Sequence, residues 1–196
     1  MANAQECLGL RSLKYSSANI SVNWRVLKNA RGPEGRLIFG REHAFGGLRA
    51  ALLNIGNTNR AYNWGAEAGG SFTLGKSVTL CPLGTYSRQL RASVAYPATT
   101  EVLVGGSLGA RPYVTSAVKL IPFIGGGVLR TKAEDTIDET AEQVDGYVRT
   151  GAEIFGGLGV QLGETVIIRG LLRHRDGYGD RSNMFVLGVT LAPTRK

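Results

Sequence analysis

Five ionisable residues, Arg25, Glu67, Glu101, Glu153 and Arg169, fall on strand-like faces made otherwise mostly of glycine, serine, threonine and asparagine. A carboxylate enclosed among small residues is costly unless a cation and hydrogen bonds compensate it. Two kinds of chemistry suit such a set: selection of charged solutes along a passage, or a structural network of ion pairs that fills an interior. Glu67 and Glu153 lie mid-strand, far from any turn, and are expected to meet Arg25, Arg169 or a neighbouring base. Lys119, Arg149 and Arg173 are secondary candidates. The structural network is the preferred reading, with a gate or selectivity element as the sharper alternative.

Other chemistry is thinly represented. The 2 histidines are His43, in a tight connection, and His174, between Arg173 and Arg175. His174 with Ser182 or Asp176 would begin a hydrolase or acyltransferase arrangement, but a lone histidine beside arginines reads more simply as a surface residue. Neither histidine has a partner at metal-ligand spacing. No GxSxG and no Walker loop occurs. The runs "GGSLGA" and "GGGV" precede no helix, so they do not read as phosphate cradles. No catalytic residue, metal or cofactor is expected. The 2 cysteines, Cys7 and Cys81, can pair in an oxidising compartment; two unrelated free thiols is the alternative.

The chain of 196 residues has 28 glycines, 6 prolines, 19% charged residues and a net charge of +8. The basic charge is scattered, and "AEDTIDETAEQVD" is acidic, so no nucleic-acid partner is expected. A positive surface suits anionic lipid headgroups equally well. No stretch has the ~18 apolar residues of a spanning helix, a test that a membrane β-barrel escapes.

The elements that position these residues read as strands. From Tyr62, the residues Tyr62, Trp64, Ala66, Ala68, Gly70, Phe72 and Leu74 alternate with Asn63, Gly65, Glu67, Gly69, Ser71 and Thr73. Ile20, Val22, Trp24 and Val26 alternate in the same way with Ser21, Asn23 and Arg25, and Val102, Val104 and Leu108 with Glu101 and Ser107. "KNARGPEG" reads as a polar loop and the acidic segment as a solvated one. The pattern predicts an all-β fold: a closed antiparallel up-and-down barrel of about ten strands, or eight if Asn19 to Glu42 lies outside it. Its exterior is apolar and lipid-facing, its lumen polar and filled by side chains. Residues 1–17 form an amino-terminal segment, 18–192 the barrel and 193–196 a short basic tail.

From Leu74 onward short and long connections alternate, as when tight turns occupy one rim and longer loops the other. Parity puts both termini and Gly75-Lys76 on the short-turn side, which is the periplasmic side in an outer-membrane barrel. Cys81, facing inward five residues past that turn, would then let a Cys7–Cys81 disulfide tuck the amino-terminal segment against the lower mouth. Tyr62, Trp64, Tyr86, Tyr113 and Tyr147 lie near strand ends, where interfacial aromatic girdles belong.

The stretches "AQECLGL", "FGREHAFGG", "VTLCPLGTY", "LIPFIGGGV" and "NMFVLGVTLA" together resemble the small outer-membrane β-barrels of the OmpX and OmpW type, over nearly the whole chain. The family's terminal aromatic residue is replaced here by "TLAPTRK". The resemblance implies an antiparallel barrel in a bacterial outer membrane, mostly non-enzymatic, with a structural or interaction role or a very narrow pore. It also implies export, and Ala2-Asn3-Ala4 has the small-x-small form of a cleaved signal. Outer-membrane lipid is the expected partner, with a homo-oligomer as an option. The alternative is a soluble or secreted barrel that binds an apolar ligand or self-assembles.

Overall fold

The computed structural model describes residues 6–10, 18–41, 43–56, 59–74, 77–90, 97–110, 118–134, 136–137, 143–144, 146–176 and 183–193. Ten antiparallel strands form the barrel. They are β1 (Ala18–Leu27), β2 (Ala30–Gly40), β3 (Ala44–Ile55), β4 (Asn59–Gly70, continuing as Phe72–Leu74), β5 (Val78–Gln89), β6 (Thr99–Ala110), β7 (Val118–Ala133), β8 (Val148–Leu162), β9 (Val166–Arg175) and β10 (Asn183–Leu191). Each pairs with its neighbours in sequence. The ring closes where β1 takes β10 on one side, Trp24 opposite Leu187, and β2 on the other, Trp24 opposite Pro33. At Ser71 the ladder of β4 is interrupted: the Ser71 amide donates to the His43 carbonyl at 3.0 Å, and Phe72–Leu74 rejoins β5. A small hairpin, Thr136–Ile137 with Gln143–Val144, stands apart from the barrel in the β7–β8 connection.

The segment expected to loop from Lys28 to Gly35 is mostly strand. The turn between β1 and β2 is only Lys28-Asn29, and β2 already includes Gly32, Pro33 and Glu34. Proline has no amide to give a ladder and normally avoids a strand interior. Here its side chain faces out, and the β2–β3 ladder skips Gly32 and Pro33, resuming at Glu34 opposite Ala51. The first hairpin therefore belongs to the barrel, and ten strands rather than eight are present.

Alternation sets the two faces. Val22, Trp24, Leu48, Tyr62, Val104, Ile124, Val128, Ile154 and Leu172 point outward and are exposed. Inside lies a core of two kinds. Leu83, Leu103, Phe123, Leu129, Phe155, Leu171 and Val186 form an apolar cluster, while Arg25, Glu34, Glu153 and Arg169 are buried among them. Neighbours in one strand show the contrast: Val104 is 66% exposed and Leu103 only 2%.

Residues 6–10 enter the lumen from the rim that also carries the β2–β3, β4–β5, β6–β7 and β8–β9 turns. Cys7, Leu8 and Leu10 are buried there. Cys7 is disulfide-bonded to Cys81 of β5. The plug lies directly against β8 because position 159 is glycine: a Cβ there would come within 2.2 Å of the Gly9 carbonyl oxygen.

Candidate functional site

The inner wall carries Arg25, Glu34, Arg36, Arg49, Glu67, Glu101, Glu153, Arg169, Arg173 and Arg175; all but Arg49 are joined in three groups. In the first, Arg25 Nη2 lies 2.6 Å from Glu34 Oε2, and Asn23 Nδ2 donates to Glu34 Oε1 at 3.0 Å. Arg169 donates to Asn23 Oδ1 at 3.4 Å and to the Leu8 carbonyl at 3.2 Å, which ties this group to the plug. The second group is a two-point pair from Arg36 Nε and Nη2 to the Glu67 carboxylate. It spans from β2 to β4 across β3, which is possible because the intervening inward residue is Gly47; a Cβ there would meet Glu67 Cγ and Oε1 at 3.0 Å. In the third, Arg175 donates from Nε to Glu153 Oε2 at 2.9 Å and from Nη1 and Nη2 to Glu101 at 2.7 and 3.0 Å. Arg173 Nε is 3.3 Å from Glu153 Oε1, and its guanidinium stacks 5.9 Å from the Phe155 ring centroid. Ser87 donates to Glu101 at 3.3 Å.

All five residues singled out in the sequence therefore sit in the lumen, and the glutamates Glu67 and Glu153 meet neighbouring bases rather than Arg25 or Arg169. Glu67 meets Arg36, Glu153 meets Arg173 and Arg175, and Arg25 meets Glu34. The cause is register. Glu153 stands directly opposite Arg175 in the β8–β9 ladder, and Ser87 opposite Glu101 between β5 and β6. Sequence reasoning missed Glu34 and Arg36, the first in the supposed loop, and Arg49, in a strand where Leu53 and Ile55 also face inward. It missed Arg175 by assigning it to the rim beside His174. Of the secondary candidates, Arg173 joins the network, Lys119 is half-buried on the inner face and Arg149 is exposed at the end of β8.

His174 faces outward, its Nδ1 2.8 Å from Asn183 Oδ1, and His43 is exposed. Ser182 lies outside the described residues. Among the described residues no group of histidine, cysteine, aspartate and glutamate is placed to hold a metal ion.

Tyr62, Trp64, Tyr86 and Tyr147 gather at the rim opposite the plug; Tyr113 lies outside the described residues. Trp64 and Tyr86, on adjacent strands, have ring centroids 5.5 Å apart. At that rim the lumen widens into a cavity of about 260 Å³ lined by Arg25, Arg49, Ser87, Gln89, Glu101 and Arg175. A second cavity of about 40 Å³ lies deeper, between Leu8 and the charged groups.

No family model matches the sequence. No curated protein matches it either. The architecture does match: the translocator domain of autotransporter NalP from Neisseria meningitidis superposes with a TM-score of 0.54 at 11% identity, covering 89% of this chain and 86% of that one. The shared fold is a closed antiparallel β-barrel. The N-terminal β-barrel domain of Pseudomonas aeruginosa OprF, 15% identical over 90% of this chain and 97% of its own, scores 0.44. The Yersinia pestis attachment invasion locus protein Ail, 12% identical over 90% and 98%, also scores 0.44.

Proposed function

We propose that this barrel resides in a bacterial outer membrane after export, contacts lipid with its outer belt, and serves a non-enzymatic structural or interaction role. One observation carries the reading: the usual distribution is inverted, with tryptophan, valine, leucine and isoleucine bare on the convex face while arginines and glutamates are enclosed. In water that belt would be a very large apolar patch. In lipid it is the expected surface, and ring closure leaves no unpaired strand edge in hydrocarbon. Ten residues of strand tilted by about 40° span roughly 25 Å, the height of such a belt. The plug and the ion-paired lumen favour a closed body over an open channel, with any conductance very small.

Two measurements test this. The protein is expected to pellet with membranes, to leave them only in detergent, and to migrate differently on gels before and after heating. Recovery as a soluble monomer in buffer would refute the proposal; a soluble homo-oligomer would mean that copies of the chain, not lipid, cover the belt. Val104, near the middle of β6 on the outer face, gives the second. Val104→Arg is expected to lower stability in lipid by about 2–4 kcal/mol, the cost of a cation near the bilayer midplane. A change below about 0.5 kcal/mol in urea unfolding would place that residue in water.

A further inference from the structure

The larger cavity has an excess of cations and a shortage of acceptors. Of the three arginines lining it, Arg25 is engaged by Glu34, and Arg175 by Glu101 and Glu153. Arg49 has no direct partner: among the described residues it makes no ion-pair contact, and its Nε has no acceptor. The register explains why. Arg49 stands directly opposite Arg36 across β2 and β3, a like-charge pair, and Glu67 closes on Arg36, leaving Arg49 half-buried in the cavity wall. Two more donors of the same wall, Arg25 Nε and Gln89 Nε2, also lack acceptors. Over the whole inner wall the arginines outnumber the glutamates. Part of the lining, Leu53 and Ile55, is apolar.

We propose that this cavity is a binding site for a small organic anion, a carboxylate with a short apolar body. The carboxylate supplies the acceptor that Arg49 Nε lacks, as a charge-assisted pair. The apolar body lies along Leu53 and Ile55. The volume, about 260 Å³, is just below the usual range for drug-sized ligands, which suits a small occupant. The site depends on the closed lumen and not on what covers the exterior, so it stands whether lipid or protein coats the belt.

The test uses the folded full-length chain in detergent micelles, titrated calorimetrically with sodium butyrate and with its neutral analogue butyramide at matched ionic strength. Saturable butyrate binding is expected, with butyramide at least about tenfold weaker. Arg49→Gln is expected to weaken butyrate by about tenfold or more. It orphans no carboxylate, so heat-modifiable migration should be retained. Absence of saturable butyrate binding, equal binding of the two probes, or wild-type affinity in Arg49→Gln would each overturn the site. The comparison of butyrate with butyramide on the unaltered protein decides the question even if the variant misfolds.

Discussion

Glu153→Gln is expected to cost about 3–5 kcal/mol of unfolding free energy, the range for removing one partner from a buried ion pair. Glu153 is 1% exposed and answers two arginines from facing oxygens, Arg175 at Oε2 and Arg173 at Oε1. The amide is nearly isosteric, so the loss is not a cavity effect. What it removes is the negative charge, leaving Arg173 without its carboxylate and Arg175 dependent on Glu101 alone. Glu101→Gln should cost less, because Glu101 borders the larger cavity, where water can solvate what remains. Glu67→Gln belongs with the severe group, since Arg36 is buried and Glu67 is its partner. Urea unfolding of the reconstituted protein, followed by fluorescence of Trp24 and Trp64 on the outer face, measures each. A double-mutant cycle of Glu153→Gln with Arg173→Gln should recover part of the loss, because the second change removes the stranded cation. If Glu153→Gln unfolds within about 0.5 kcal/mol of the parent, the network contributes nothing to stability.

The sequence disclosed the faces better than the partners. Period-two alternation put Glu67, Glu101 and Glu153 on the inner wall because a strand has only two sides, and each of these residues stands among small neighbours. Ion pairing depends on register and on distance across the lumen, which no local pattern encodes. Arg36 reaches Glu67 over an intervening strand only because position 47 is glycine. Glu34 was hidden by Gly32 and Pro33, which carry turn chemistry locally but are tolerated because the ladder skips them. The apolar part of the lumen was hidden for another reason. Leu103, between the outward residues Val102 and Val104, and Phe155, between Ile154 and Gly156, extend apolar runs on which alternation is hard to see. They face inward because a narrow barrel has no room for water and must be packed like any other core.

That mixed core gives the barrel its division of labour. The half nearer the plug is tightly filled: Leu8 and Leu10 pack onto the cluster around Phe123, and Arg169 binds the Leu8 carbonyl. The half nearer the opposite rim keeps Arg25, Glu101, Arg175 and the larger cavity. Any ligand or solute approaching from the plug side meets the plug first, so the exchangeable volume of this lumen belongs to the rim where Tyr62, Trp64, Tyr86 and Tyr147 cluster.

The second large effect is expected from the staple. The Cys7–Cys81 bond closes a loop with a sequence separation of 74. Chain-entropy reasoning assigns a cross-link of that length about 4 kcal/mol, through restriction of the unfolded chain. Cys7→Ser/Cys81→Ser is therefore expected to lose about 4 kcal/mol in urea unfolding, with the double change chosen so that no lone thiol remains. The folded plug should largely survive, because Leu8 and Leu10 stay buried whether or not the bond exists, and burying two leucines stabilises by roughly 3–6 kcal/mol. The effect should thus appear in the unfolding free energy and much less in lumen access. Dithiothreitol supplies an independent arm: the reduced parent protein should unfold at the same urea concentration as the double-serine variant, while the variant should not respond to reductant. A parent protein whose unfolding is indifferent to dithiothreitol, together with two titratable thiols on denaturation, would show that the staple does not form. The plug would then be held by its two leucines, the Arg169 contact and the Cys7 thiol against the Thr79 carbonyl.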